Sequence, residues 1–536
     1  MNKVFFNIIL ILFLNVLLFS SCNHYGEFDL HVYSTNDVHG MYFDSTTYGS
    51  VNSSSYSKIC RFIKNKRALY GEQNVVLVDA GDIMQGTSSS YYFNYIDSSA
   101  TESEAAKILN YIKYDAVIVG NHDIEAGHRN YDMLNNDLNA PLLAANAVKS
   151  GTEDCYFKAY TIIKRGGLKI AIIGMTNSWI KHWVGVEERK GIEFLPIYPL
   201  MQSLVDDIRS REKPDLVFLV SHSGFGDGSK ENEEQCSRYV ADHVRGLDGL
   251  FIGHDHIALK EKRLMEKDTV GLIESGSRAN YISETNFHIV KDKQGITISS
   301  NQNLISLKDS LSDEEYDKFF YNDFLKVKKF SNKKIGSLLS DIDMSLAAEE
   351  QCPYLDLIHS VQLDVSGAQI SITAPTSIKG YLPAKDITYN DLFKLYVFEN
   401  TLKVVKMTGE EITKYLNESY SRWNKTDNYY NWDSAAGINY EVSRSRNGDK
   451  KVNVLSMADG SRFYRDSSYT VAMTSYRLSG GGDLLKNAGI RIDSNNTIAE
   501  YGDIRELIGS YFIKNKSVDP SHLKNKNIIG TWNVVE

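Results

Sequence analysis

Five apolar runs in the first half of the chain end in the same way, and this repetition constrains the fold more than any other feature. "DLHVYSTNDVHG" passes from a strand-like run into Asp37 and His39, "NVVLVDAGD" into Asp79 and Asp82, and "DAVIVGNHD" into Asn121, His122 and Asp123. "DLVFLVSHSG" ends in His222, and "DGLFIGHDH" in His254 and His256. Runs this apolar suit strands buried on both faces, as in parallel α/β sheets. Polar groups at the ends of such strands are costly unless something pairs with them. Open α/β sheets place their ligands in the crevice beyond those ends. One His or Asp after a strand is most often a turn or cap residue. Five of the chain's 13 histidines gathered at such ends point instead to a bound ligand.

Imidazole and carboxylate ligands with one amide oxygen suit Zn, Mn, Fe or Co rather than an all-oxygen Ca site. The candidates Asp37, His39, Asp82, Asn121, His222, His254 and His256 outnumber the four ligands of a structural zinc. They therefore predict two divalent metal ions sharing a bridging carboxylate. Such pairs, about 3.5 to 4 Å apart, clamp the attacking and leaving oxygens of an in-line displacement at phosphorus.

At 536 residues the chain exceeds one ordinary core, so two domains are expected. From about Phe28 to Val290 short apolar runs alternate with helix-like segments, which reads as α/β. From about Leu307 to Ser345 the composition turns charged and helix-favouring, as in a linking helix. Beyond it, "MTGEEITKYLNESYSRW" carries Ile412, Tyr415, Leu416 and Tyr420 on one helical face, and "YTVAMTS" reads as a strand. The "SGGGD" at Ser479 to Asp483 predicts a tight turn. The expected division is a leader at 1–22, a dimetal domain at 28–300, a linking region at 301–344 and a substrate-binding domain at 345–536. A net charge of -9 argues against a duplex nucleic-acid binder.

The N-terminus reads as a secretory signal: "MNK" is its positive end, "VFFNIILILFLNVLLF" its apolar core and "SSC" its small-residue cleavage site. Cys22 resembles the lipidated cysteine of bacterial lipoproteins, although Phe19 stands where Leu is usual. Export to the periplasm or cell envelope is expected, with a lipid anchor at Cys22 and a plain secreted protein as the alternative. Cys60, Cys155, Cys236 and Cys352 are widely spaced, which indicates neither a thiolate metal site nor a disulfide framework.

"DVHG", "GDIMQGT", "GNHD", "SHSG" and "GHDH", in this order, resemble the five blocks of the calcineurin-like metallophosphoesterases, in the form of the 5'-nucleotidase family of exported two-domain enzymes. The resemblance implies an N-terminal domain of two mixed sheets sandwiched between helices and a C-terminal α/β domain that binds the nucleoside. It implies one metal on Asp37, His39 and His256 and a second on Asn121, His222 and His254, with Asp82 bridging. It makes His122 the catalytic histidine, and puts Glu125 where the family usually has the Asp that orients it. A hydroxide held between the metals would attack phosphorus.

The stretch "ISITAPTSIKGYLPAKDITYNDLFKLYVFENTLKVVKMTGEEITKYL" resembles the 5'-nucleotidase C-terminal domain, and "YTVAMTSYRLSGGGD" its nucleoside-binding loop, where two aromatic rings sandwich the base. Tyr476 matches one ring; Tyr430 is the choice for the other, with Trp432 in reserve. The family's arginine-bearing "GGxR" loop is replaced by "ITAPTSIKG", which looks more like the 2',3'-cyclic-nucleotide 2'-phosphodiesterase/3'-nucleotidase branch. Lys379 and Arg477 are candidates to meet phosphate or ribose, with surface solvation the favoured reading of Lys379. The implied substrates are 2',3'-cyclic nucleotides and 3'-nucleotides. A 5'-nucleotidase, a nucleotide-sugar diphosphatase and a nucleotide-binding lipoprotein without turnover are the alternatives.

Overall fold

The computed structural model describes residues 25–43, 54–97, 99–265, 268–423, 431–444, 450–492, 496–525 and 529–535. The leader with Cys22, and Tyr430, lie outside them. Among the described residues no helix is long and apolar enough to cross a membrane, and Cys60, Cys155, Cys236 and Cys352 are free thiols.

The apolar runs become strands, and Val75–Asp79, Ala116–Ile118, Leu216–Ser221 and Gly249–Ile252 are buried along their whole length. They fall in two six-stranded sheets. In the first, Gly26–Thr35, Val75–Asp79, Ala116–Ile118 and Leu142–Leu143 run parallel, with Tyr281–Lys291 and Ile296–Ser306 added antiparallel at one edge. In the second, Leu168–Met175, Leu216–Ser221, Gly249–Ile252 and Asp268–Ser275 are parallel, and Tyr160–Arg165 and Ala258–Met265 close the edges antiparallel.

The sheets face each other across Val32, Val76, Val78, Ile118, Ile172, Phe218, Val220 and Phe251. Helices Tyr56–Tyr70 and Glu104–Ile112 cover the outer face of the first, and Ile197–Glu212 and Ser237–His243 that of the second. The expected sandwich of two mixed sheets between helices is present. Register brings the carboxyl ends to a common edge: Thr35 pairs with Asp79, and Ser221 with both Met175 and Ile252.

The charged segment read as one linking helix is two, Glu314–Phe319 and Tyr321–Ser331. Their Tyr316, Phe320 and Val327 pack into the core of the first lobe. A second core begins at Ile335. Its five-stranded sheet has the order Ser434–Ala436, Ile370–Thr373, Ser468–Thr474, Thr401–Thr408, Thr497–Asp503. Helix Gly409–Arg422 buries Ile412, Tyr415, Leu416 and Tyr420, the face its spacing predicts, and starts in a capping box between Thr408 and Glu411.

Candidate dimetal site

The loops that leave the aligned strand ends turn sharply to bring their side chains together. Asp37, His39, Asp82, His254 and His256 have φ between +49° and +98°, and they are five of the eleven non-glycine residues in that region among the described residues. Holding side chains there costs on the order of 1–3 kcal/mol each, a strain that concentrates at functional sites. The backbone also packs too closely for anything but glycine beside them. A Cβ on Gly120 would lie 2.2 Å from Asp82 Oδ1 and 2.3 Å from Asp82 N.

Donor atoms of Asp37, His39 and His256, and of Asp37, Asp82 and His222, lie within 4.8 Å of one another. Asp37 is fully buried, and its Oδ2 accepts from Asn36 Nδ2 and from His254 N. Its Oδ1 has no hydrogen-bond partner and sits 3.3 Å from His256 Nε2. Asp82 Oδ2 is 3.2 Å from His222 Nε2, while its Oδ1 accepts from the His122 amide. Asn121 Oδ1 joins the cluster at 3.0 Å from His222 Nε2 and 3.1 Å from His254 Nδ1. The sequence-derived ligand candidates thus occupy one site.

The residues present fit a pair of divalent ions. Two buried carboxylates, one with an orphaned oxygen, face several imidazole nitrogens, a donor set that suits first-row metals. The second nitrogens of three of the four imidazoles are already engaged, which fixes those rings. His222 Nδ1 donates to Ala80 O at 2.7 Å, His39 Nδ1 to Gln85 O at 3.1 Å, and His254 Nε2 to Glu234 Oε1 at 3.3 Å.

His122 stands beside the cluster, its ring centroid 5.5 Å from that of His39. Glu125, one helical turn on, accepts from His122 Nδ1 at 2.5 Å, so Nε2 is the nitrogen left for other partners. Burial pushes the imidazole down, but the carboxylates of Asp82 and Glu125 outweigh it and hold it up to about 9.

Asp123 closes the "GNHD" stretch but received no role from sequence. It is buried and accepts four backbone N–H groups, from Asp82, Ile83, Met84 and Gly120. It thereby fixes the loop that carries Asp82 against the helix that carries Asn121 and His122. Trp183, stacked on His254 at 5.3 Å, and Glu234 were also not singled out. No local motif marks either, since each reaches His254 only through tertiary packing.

In the second lobe the "SGGGD" stretch is a turn, with Gly480 and Gly482 at φ +106° and +71°. Gly481 lies flat against the ring of Tyr476, where a Cβ would come within 2.4 Å. Burial and the Glu234 carboxylate push the Tyr476 hydroxyl up, with Arg477 opposing them, so Tyr476 feels a residue of the metal-bearing lobe. Trp432, the reserve for the second ring, is not free to stack on a ligand: it is 3% exposed and packed on Tyr420 and Trp423.

Arg477 departs from its expected role as well. Its buried guanidinium donates to both oxygens of the fully buried Asp433, at 2.8 and 2.9 Å, and to Gly481 O. These bonds brace the glycine turn. Lys379 is exposed, on the loop after strand Ile370–Thr373.

Residues 30–258 match the calcineurin-like phosphoesterase family, and residues 329–487 match the 5'-nucleotidase C-terminal domain. The chain is 23% identical to a 2',3'-cyclic-nucleotide 2'-phosphodiesterase/3'-nucleotidase of Haemophilus influenzae, covering 96% of this chain and 90% of the relative. It is 22% identical to a 5'-nucleotidase of Vibrio vulnificus, covering 92% and 91%. The solved 5'-nucleotidase precursor of Thermus thermophilus shares the fold, with a TM-score of 0.67 at 19% identity over 95% of this chain and all of that one. With its double-sheet sandwich and ligand cluster, the chain is a calcineurin-like metallophosphoesterase, a hydrolase of phosphate esters. It belongs to the nucleotidase form of that family, in which a 5'-nucleotidase C-terminal domain follows the catalytic one.

Proposed function

We propose that this protein is an exported nucleotide phosphoesterase that opens 2',3'-cyclic nucleotides and removes phosphate from 3'-nucleotides. The observation that carries the reading is the loop after strand Ile370–Thr373. It holds no arginine, and its Thr376, with Tyr354, is tied to Leu395 O beside the turn that touches the metal-bearing lobe. A phosphate-gripping arginine pair of the 5'-nucleotidase kind has no counterpart there, and the Haemophilus relative carries the cyclic-phosphodiesterase name.

In this reading Asp37, His39 and His256 would hold one cation and Asn121, His222 and His254 the other, with Asp82 shared between them. Bound divalent cations supply Lewis-acid polarisation of the phosphoryl oxygens and a nucleophile at neutral pH. His122, its Nδ1 held by Glu125, would offer Nε2–H in its protonated form to the charge that develops on the phosphoryl or leaving oxygen. Tyr476, backed by Gly481, presents its other face to the base. Tyr430 is proposed as the opposing ring. The leader and Cys22 support export to the periplasm or envelope with a lipid anchor.

The test is turnover of 2',3'-cyclic AMP, 3'-AMP and 5'-AMP by the Mn- or Zn-loaded protein, with a coupled phosphatase to reveal opened cyclic ester. Turnover of the first two with little of the third is expected. A preference for 5'-AMP would instead favour the 5'-nucleotidase reading, which the Vibrio relative supports. His122→Ala should lower kcat by about 100-fold or more while nucleotide binding persists. A protein that binds nucleotides without turning them over would be indifferent to that change.

A further inference from the structure

The second lobe touches the loop that carries the ligands. The turn Tyr396–Asn400 is held rigid by Arg505, which is 1% exposed. Arg505 donates to three consecutive carbonyls, Tyr396 O at 3.0 Å, Val397 O at 2.8 Å and Phe398 O at 3.2 Å, and its guanidinium lies 4.2 Å from the ring centre of Phe393.

The braced turn reaches the metal-bearing lobe at two points. Val397 O accepts from Gln85 Nε2 at 3.3 Å, and Glu399 accepts from Tyr95 OH at 3.0 Å. Gln85 belongs to the "GDIMQGT" loop, and its own carbonyl is the acceptor for His39 Nδ1. The next residue, Gly86, passes so close to His39 that a Cβ there would lie 2.9 Å from His39 Cβ. A shift of Gln85 therefore changes both the aim of the His39 ring and the packing behind it.

We propose that Gln85 is a positioning residue through which docking of the turn Tyr396–Asn400 sets the orientation of His39, so that metal binding at the Asp37, His39 and His256 group depends on contact between the lobes. The sequence of contacts is continuous: Arg505 fixes Val397, Val397 holds the Gln85 side chain, and the Gln85 carbonyl holds His39. Tyr95 and Glu399 also bridge the lobes, beside the Tyr91–Phe393 and Phe330–Tyr389 ring contacts, and neither is among the ligand candidates. The inference rests on the metal assignment above but not on the choice of substrate.

The test measures metal affinity directly, by competition of the full-length protein with a chelating dye for Mn and Zn, and by metal content after dialysis. Wild type is compared with Gln85→Leu and Tyr95→Phe. Each variant loses one hydrogen bond, so a weakening of one of two bound ions by about 3- to 10-fold is expected for Gln85→Leu and a smaller one for Tyr95→Phe. Tyr95→Phe touches no ligand and removes a contact between the lobes, so its effect on the ions is read together with the interlobe distance. Its apo-protein melting temperature and an interlobe distance from paired spin labels show whether it folds and whether the lobes still meet. Looser docking with both metal affinities unchanged would overturn the proposal, as would unchanged affinities in Gln85→Leu. Metal affinities reduced as expected, in a protein that turns over none of the nucleotides tested, would leave this inference standing and overturn only the substrate reading.

Discussion

Arg477 was a candidate to meet phosphate or ribose, and its burial with Asp433 yields a sharp prediction. Arg477→Met removes the cation that pairs with a carboxylate having no access to water. Tyr415 OH still donates to Asp433, but one neutral donor does not replace a bidentate guanidinium. Breaking a buried pair by deleting one partner costs about 3–5 kcal/mol, and the lost bond to Gly481 O also frees the glycine turn. Three tryptophans, Trp423, Trp432 and Trp532, lie in the core of this lobe, so fluorescence in urea follows its unfolding. Hydrogen exchange in peptides spanning 409–423 and 468–487 locates the loss. The double variant Asp433→Asn with Arg477→Met should recover a substantial part of it, since no charge is then stranded. A single-variant loss below about 1 kcal/mol would refute the structural role and return Arg477 to the list of ligand contacts.

Gly120→Ala should disorganise the site, because its Cβ would overlap Asp82 Oδ1 and N; the expected readout is loss of bound metal and of turnover in a protein that still shows native helix content. Chelation should lower the melting temperature, and restored Mn or Zn should raise it, by about 4 kcal/mol of linkage at a thousandfold excess over Kd. Tyr476→Ala should weaken adenosine binding by about 1–3 kcal/mol in calorimetry while leaving hydrolysis of p-nitrophenyl phosphate unchanged. Glu104, with Oε1 unpartnered, is pushed up to about 7 by burial and by Asp323, against Lys107. Because its folded value lies above the unfolded one, the stability it contributes is full below pH 4.5 and is lost as pH rises to about 7. Glu104→Gln should lack that loss, gaining up to about 3 kcal/mol over wild type by pH 8 and little at pH 4 in urea melts.

The sequence alone located the candidate ligands. A strand buried on both faces has to be apolar throughout, so the first polar residues after it mark the edge of the sheet, and parallel pairing brings those edges together. That is why Asp37, Asp82, Asn121, His222 and His254 could be read from five separate stretches and meet in one site. Helix Gly409–Arg422 was legible for the same reason, a periodicity imposed by one buried face. Tertiary structure decided what individual side chains do once they are there. Asp123 stands next to His122 in sequence, yet it is spent on four backbone amides. Arg477 and Trp432 have the chemistry to bind a nucleotide, but Asp433 and the aromatic core claim them first. Glu234, Trp183 and the turn at Tyr396–Asn400 carry no motif because their partners are distant in the chain, as Gln85 and Val397 are. Contacts of that kind depend on how two cores pack, and no local pattern of residues encodes them.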